Sequence, residues 1–371
     1  MKNVCDIVYI IEKIFIKVKK DKGDRKMKGT FFTGADQPQK FEVRDMSFAP
    51  LQPHEVLVKN MSAGICGTDV HIYHGEKGSA EVKPPVVLGH EYAGIVVETG
   101  AAVTEVQAGD HVTVDPNIYC GKCRPCKMGK KQNCEHLFAL GVNVNGGFAE
   151  YSVVPDTQCF LLKKEIPFDV GAMAEPLACA IHGVDLCDIQ QGQSVLVIGG
   201  GPIGLLVVQL ARLKGASPVI LSEPMEMRRH IGLSVGADAV IDPLHENVAE
   251  TVRSLTGEDG ADVVIECVGR PFAAEQAVEA AGPGAMIMLF SVPAVDATIP
   301  LPLFEMYRKE LTVRGSRINP DTHQRAVNLI NAQRLEIEKL ITHTYDLYHL
   351  EDAIHMQMSS ESIKVVVHPH G

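Results

Sequence analysis

Cys120, Cys123, Cys126 and Cys134 stand in the order C-x2-C-x2-C-x7-C. Four thiolates at that spacing can wrap one tetrahedral Zn2+, and four protein sulfurs leave no position open, so an ion held there is structural. Lys122, Arg124, Lys127, Lys130 and Lys131 surround them and offset the anionic sulfur. A second donor set is split between two segments. Cys66 lies in Gly64-Ile65-Cys66-Gly67-Thr68-Asp69-Val70-His71, and His90 and Glu91 lie in Gly89-His90-Glu91-Tyr92-Ala93-Gly94. Thiolate, imidazole and carboxylate are all competent zinc ligands. Gly64, Gly67, Gly89 and Gly94 are expected to let the two segments approach closely around an ion. Glu175, just before Pro176 at the start of a helical run, is a fourth candidate for this first centre; a carboxylate at a helix start is also favoured by the helix dipole.

A third chemistry is written in Gly199-Gly200-Gly201-Pro202-Ile203-Gly204. An apolar run over 194–198 precedes it and a helical segment over 205–214 follows. Strand, glycine-rich turn and helix form the first unit of a dinucleotide-binding fold. Gly199 permits the tight turn, Gly201 lets the backbone approach a pyrophosphate, and Gly204 lets helix and strand pack. The helix N-terminus offers free N–H groups and partial positive charge to the anion. Glu223 ends the next strand-like run, over 218–223, about 20 residues after the glycines, where a carboxylate accepts hydrogen bonds from an adenosine ribose. The same acid repels a 2′-phosphate, which favours NAD over NADP.

These groups need elements to hold them. From 27 to about 114 the text is short β-like runs broken by Gly and Pro, such as 55–59 and 92–98, which suggests a partly closed antiparallel barrel. Residues 172–180 lead into a helix toward a second unit. There, strands over 194–198, 218–223, 239–242, 262–267 and 284–290 alternate with helices over 205–214, 225–233, 248–255 and 272–281. That alternation predicts a parallel, doubly wound sheet with right-handed crossovers, and its unbroken apolar runs fit strands buried on both faces. A strand over 311–316 follows, then a helix over 321–331 with Asp321 near its cap. A tail with a helix over 351–358 and a strand over 363–367 is expected to rejoin the first unit.

With 371 residues the chain is long enough for two cores. A formal net charge of -11 argues against binding nucleic acid or acidic membranes, which needs a basic surface. The apolar stretch 4–18 is too short and too charged to span a bilayer and lacks a signal-peptide cleavage site. Residues 1–26 are expected to lie outside the folded core. Cys5, Cys159, Cys179, Cys187 and Cys267 are scattered and read as small buried hydrophobes.

Taken together, the sequence resembles the zinc-dependent medium-chain dehydrogenases from about Met27 to about Pro369. The most specific piece is Gly89-His90-Glu91-x2-Gly94-x5-Gly100-x2-Val103, which is similar to the family's zinc signature. The four-cysteine lobe and the glycine turn agree in order and spacing. The resemblance implies an α/β chain: a GroES-like, partly closed β-barrel catalytic domain over 27–176, with a structural zinc lobe at about 115–135. A doubly wound Rossmann domain binding NAD follows over 177–316, and 317–371 returns to the catalytic domain. The active site then lies in the cleft between the two.

The resemblance further implies two Zn2+ per chain, one catalytic and one structural. Cys66 and His90 match catalytic zinc ligands, and Glu91 matches the adjacent carboxylate. Glu175 stands where liver-type alcohol dehydrogenases carry a cysteine ligand, and a glutamate there is similar to the sorbitol, threonine and butanediol branches; such a glutamate binds zinc directly in some members and through water in others. Zinc lowers the pKa of a substrate hydroxyl, and hydride then passes from carbon to the nicotinamide. Thr68 matches the hydroxyl that relays the proton and His71 a relay position toward solvent. Pro202, Ile203, Arg228, Val268 and Arg317 join Gly199, Gly201, Gly204 and Glu223 as expected cofactor contacts.

The favoured substrate is a secondary alcohol of a polyol or sugar-like compound, oxidised to a ketone. L-threonine and 2,3-butanediol are the alternatives within that chemistry. A non-catalytic structural protein and a zinc- or redox-responsive binding module are the alternatives outside it. A cytoplasmic homotetramer or homodimer, without nucleic-acid or membrane partners, completes the expectation.

Overall fold

The computed structural model describes residues 25–76, 81–257 and 259–371. The expected extension over 1–26 lies outside them except for Arg25 and Lys26, which open the first strand. The first half runs β1 (Arg25–Phe32), β2 (Phe41–Phe48), β3 (Glu55–Gly64), α1 (Gly67–Tyr73), β4 (Val86–Val87), β5 (Glu91–Thr99), β6 (His111–Val114), β7 (Asn117–Ile118), α2 (Arg124–Lys127) and β8 (Phe138–Ala139). It continues through β9 (Tyr151–Pro155), β10 (Cys159–Leu162), α3 (Phe168–Ala172) and the long α4 (Ala174–Cys187). The second half is β11 (Val195–Ile198), α5 (Pro202–Lys214), β12 (Val219–Ser222), α6 (Glu226–Ser234), β13 (Ala239–Ile241) and α7 (Val248–Thr256). It closes with β14 (Ala261–Glu266), α8 (Pro271–Ala280), β15 (Ala281–Leu289), α9 (Leu303–Lys309) and β16 (Thr312–Gly315). The chain ends with α10 (His323–Asn331), β17 (Ile341–Asp346), α11 (Leu350–Met358) and β18 (Lys364–His368).

The C-terminal strands join the first half. Its main sheet has the order β10-β6-β5-β3-β18-β17, with β9 also on β3. β18 pairs antiparallel with β3, Val366 opposite Gly64. On the other side of β3, Gly64 lies opposite Glu91. One end of β3 therefore meets the start of β5, and this register brings Cys66 beside His90 and Glu91. Val56, Val58, Val96, Val112, Val365 and Val367 fill the barrel core.

In the second half six parallel strands run in the order β13-β12-β11-β14-β15-β16. Successive side chains of β11 point to opposite faces. Val195 and Val197 join one core and Leu196 and Ile198 the other. Both cores are apolar, so β11 carries no polar residue, and burial of each such side chain contributes about 1.5–3 kcal/mol. The glycine turn sits at the C-terminal end of β11, where the strand order reverses, the usual ligand crevice of such sheets.

Two sequence expectations need correction, and one helix was not anticipated. The helix near 321 starts at His323, with Thr322 as the residue before it. Asp321 does not cap it: its backbone is left-handed, with φ 59°, and its carboxylate pairs with Lys131 at 2.6 Å. The helix α9 has no counterpart in the sequence reading. Its apolar residues Leu303, Phe304 and Tyr307 are exposed rather than packed on the sheet, so they give no buried face to read. Finally, a Cβ at Gly67 would meet open space; of the four framing glycines only Gly64, Gly89 and Gly94 are crowded.

Candidate active site and metal centres

The metal donors of the first centre converge as the register requires. One ligand atom each from Cys66, His90 and Glu91 lies within 4.8 Å of the others. Cys66 immediately precedes α1, whose third residue, Asp69, is fully buried and accepts the Cys66 N–H at 2.8 Å. The other Asp69 oxygen faces His90 Nδ1 at 3.7 Å. Asp69 thus fixes the backbone of one donor and sets a carboxylate facing the ring of another, beyond hydrogen-bond distance. Glu175 is buried in the first turn of α4 and accepts a hydrogen bond from the Cys179 thiol at 3.3 Å. Cys179 is therefore a polar partner rather than the inert filler expected.

The electrostatics mark this as a cation site. Burial pushes the Cys66 thiol up, and Glu91 adds to it. Burial also raises Asp69 despite His90, and lifts Glu175 to about 7, with Glu91 and Asp115 contributing. Burial opposes a charged His90, but Asp69, Cys66 and Glu175 outweigh it and raise its pKa well above the ordinary value. Acids and bases shift upward together where positive charge is scarce. A divalent cation supplies that charge, so the donor set fits zinc in chemistry and in electrostatics.

The lobe centre is also gathered. Cys120, Cys123, Cys126 and Cys134 lie with their sulfurs within 4.8 Å of one another. Backbone N–H groups of Cys123 and His136 reach Cys120 and Cys134 sulfur at 3.4 Å. Burial opposes ionisation of Cys120, yet the N–H groups of Lys122 and Cys123 bring it down to about 6. Thiolate-stabilising N–H groups and four sulfurs fit a structural zinc. Cys134→Ser is expected to remove one zinc per chain and lower the thermal midpoint by roughly 5–10 °C, because the binding energy of a structural metal is folding energy. Metal analysis with thermal unfolding checks this.

A buried polar network joins the lobe to the segment between β16 and α10. Asn117 Nδ2 donates to Asn319 Oδ1 at 2.7 Å, and Asn319 Nδ2 to Asp115 Oδ1 at 3.2 Å. Burial raises Asp115 to about 6. The unfolded chain releases that proton near pH 4 and the folded chain only near pH 6. Between these values the folded form holds more protons, so this group removes stability as pH rises and keeps it removed above pH 6. Asp115→Asn is expected to stabilise the protein by about 2 kcal/mol at pH 7–8 and to do little at pH 4. Thermal unfolding at the two pH values checks the sign.

At the glycine turn, α5 opens at Gly201 without a side-chain cap. A Cβ at Gly201 would meet nothing within 4 Å, so the backbone there faces open space, the cradle a pyrophosphate needs. Gly199 has φ 100°, and Val268 packs over it. Glu223 follows β12, buried, and accepts the Gly200 N–H at 2.6 Å and the Met225 N–H at 2.9 Å.

Other predicted residues are placed differently. Arg228 turns away from the turn and donates to the Ser359 and Ser362 carbonyls, at 3.2 Å and 2.6 Å from Nη2. Its neighbour Arg229 instead reaches the Glu223 carbonyl at 2.8 Å and Asp242 at 3.1 Å. On α6 the two arginines point to different faces, and only Arg229 lies toward the end of β12. Arg317 is exposed on the loop after β16. Thr68 is half-buried in the first turn of α1, and His71 pairs with Glu76 near solvent.

Sequence reasoning missed Lys364. It is buried in β18, and its ammonium pairs with Glu91. The available signal was a lysine heading the apolar run Val365-Val366-Val367.

Residues 52–164 match the alcohol dehydrogenase GroES-like domain, and residues 202–332 match the zinc-binding dehydrogenase family. L-threonine 3-dehydrogenase of Pyrococcus furiosus is 39% identical over 320 residues, 85% of this chain and 91% of that protein. D-xylulose reductase A of Aspergillus oryzae is 35% identical over 321 residues, 85% of this chain and 89% of that one. A zinc-binding dehydrogenase of Sinorhizobium meliloti, solved bound to NADP, superposes with a TM-score of 0.89 at 39% identity, covering 93% of this chain and all of that chain.

Proposed function

The chain belongs to the zinc-dependent medium-chain dehydrogenases, and from that premise we propose that it oxidises a secondary alcohol of a polyol or sugar-like compound to a ketone, with NAD as hydride acceptor. The observation that carries the substrate class is the buried carboxylate Glu175, near enough to His90 to raise its pKa but outside the set formed by Cys66, His90 and Glu91. A carboxylate makes the site more polar than a second thiolate would, and suits a substrate with several hydroxyls. Cys66 and His90, with Glu91 gathered beside them and Glu175 buried nearby, would hold the catalytic zinc. When bound, zinc supplies Lewis acidity that lowers the pKa of the substrate hydroxyl. Thr68 receives the released proton, and His71, with Glu76 as its partner, passes it outward. The N–H groups at the start of α5 receive the pyrophosphate.

A second reading, L-threonine as substrate, is favoured by the 39% identity to an L-threonine 3-dehydrogenase. Both substrates place a second polar group beside the reacting carbon. Turnover of the zinc-replete protein on polyols, sugar acids, 2,3-butanediol and L-threonine separates them. Polyol turnover supports the first reading, and turnover of L-threonine alone replaces it.

NAD preference follows from Glu223, whose buried carboxylate would face a 2′-phosphate as a like charge. Glu223→Ser is expected to narrow the NAD-over-NADP preference by about 10- to 100-fold in kcat/KM, since one unfavourable charge contact costs a few kcal/mol. The S. meliloti protein was solved with NADP, so the comparison is made with both nucleotides.

Assembly and location are read more coarsely. β16 ends the six-stranded sheet with all four residues exposed, beside exposed Leu303, Phe304 and Tyr307. An open edge with apolar neighbours suits pairing with a second copy, and solution mass tests this. No helix among the described residues is long and apolar enough to cross a membrane. The described cysteines are all free, which fits a reducing cytoplasm.

A further inference from the structure

The segment between β16 and α10 follows a strained path. Ile318 has φ 44° and Asp321 has φ 59°. A β-branched residue rarely enters the left-handed region, and it persists there only where its surroundings hold it. The hold is Asn319, which lies between the two and is fully buried. Its Oδ1 accepts from Asn117 Nδ2 at 2.7 Å, and its Nδ2 donates to Asp115 Oδ1 at 3.2 Å. Asp115 Oδ1 also accepts the Asn117 N–H at 3.0 Å, so the three residues form a closed set. Asp115 and Asn117 stand just ahead of Cys120, at the foot of the lobe, and Lys131 within the lobe pairs with Asp321. The far end is pinned as well: Thr322 Oγ1 donates to the Ala178 carbonyl of α4 at 2.7 Å.

A parallel sheet of this kind takes its ligand outside the carboxyl ends of the strands. The glycine turn follows β11, and Glu223 follows β12. With the pyrophosphate at the first and the adenosine ribose at the second, the other half of a dinucleotide runs toward the ends of β14, β15 and β16. Ser316 is the first residue after β16, and its hydroxyl is buried with no partner among the described residues, a polar group the protein leaves unsatisfied. We propose that Asn319 is a positioning residue for the nicotinamide end of the cofactor: anchored on Asp115 and Asn117, it holds residues 316–318 in their strained path beside that end. This rests on the dinucleotide site described under the proposed function. Asn319 itself does not touch the cofactor. Without its two hydrogen bonds Ile318 relaxes toward ordinary backbone angles, and the chain leaving β16 moves with it.

The test is titration calorimetry of the zinc-replete, full-length protein with NADH and with ADP-ribose, which lacks the nicotinamide and keeps the rest. Wild type is expected to bind NADH more tightly than ADP-ribose. Asn319→Leu is expected to weaken NADH by about 3- to 30-fold, the range for residues that act through their neighbours, and to leave ADP-ribose within about twofold. Asp115→Asn keeps an oxygen that accepts both bonds and is expected to bind both ligands as wild type does. The split between ligands decides, because a residue that only supports the fold moves both or neither. Equal weakening of the two, unchanged NADH binding, or the same loss in Asp115→Asn overturns the proposal, as does a wild type that holds ADP-ribose as tightly as NADH. If Asn319→Leu does not fold, Asn117→Ala, which removes only the bond to Asn319 Oδ1, decides by the same split. A wild type that binds neither ligand would instead overturn the dinucleotide site itself.

Discussion

Cys66→Ser is expected to lower turnover by about three orders of magnitude while the protein stays folded. The Lewis acidity that an ion supplies at this centre is worth several kcal/mol, and each 1.4 kcal/mol is about tenfold in rate. Serine preserves volume and the position ahead of α1 but offers a poor donor to zinc. The loss should be confined to chemistry. The Cys66 N–H still reaches Asp69, and the glycine turn lies in the other half of the chain. Zinc content should fall from two to one per chain, the lobe retaining its own ion. Titration calorimetry should show NAD binding within a few-fold of wild type. A variant that kept both zincs and most of its turnover would remove Cys66 from the reaction.

Gly204→Ala is the second large effect. A Cβ at Gly204 would run into the Gly199 carbonyl oxygen and stand 3.0 Å from its carbonyl carbon. These are backbone atoms at the end of a strand buried on both faces, so they cannot yield as a flexible side chain would. The first turn of α5 must lift off β11. Overpacking of this kind costs typically about 1–3 kcal/mol, and the N–H groups meant for the pyrophosphate move with the helix. NAD affinity should fall by about 100-fold or more, together with the thermal midpoint. Gly201→Ala is the informative comparison. Its φ of -71° suits any residue, and its Cβ meets nothing, so stability should hold while affinity alone falls. Equal loss of stability in both variants would show that the turn is only structural.

What could be read from the sequence was what is local. The cysteines of the lobe and the glycines of the turn are close in the chain, so their spacing almost determines their geometry. The donors Cys66, His90 and Glu91 come from two strand ends, and the glycines framing them, of which Gly64, Gly89 and Gly94 are crowded, were the signal that joined them. The surrounding groups depend on pairings that no spacing records. Lys364 lies 273 residues from Glu91, and only the β18–β3 pairing brings it there. Arg228 sits at an expected interval after Glu223, but it points toward Ser359 and Ser362, carbonyls on a segment whose position follows from the whole barrel. Cys179 stands one helical turn after Glu175, a spacing that was legible but was read as packing.

The central place of β18 in the barrel sheet bears on synthesis. Elongation delivers Cys66, His90 and Glu91 early, then the whole parallel sheet, and only afterwards the strand that lies against β3. Units of a nascent chain tend to fold as they emerge, so the later half can be complete while the earlier one still has a gap beside β3. Until translation passes Lys364, the thiolate and carboxylates at the end of β3 stand without their ammonium and remain open to whatever cations are present in the cell. The centre takes its final form only when the last strand closes over it.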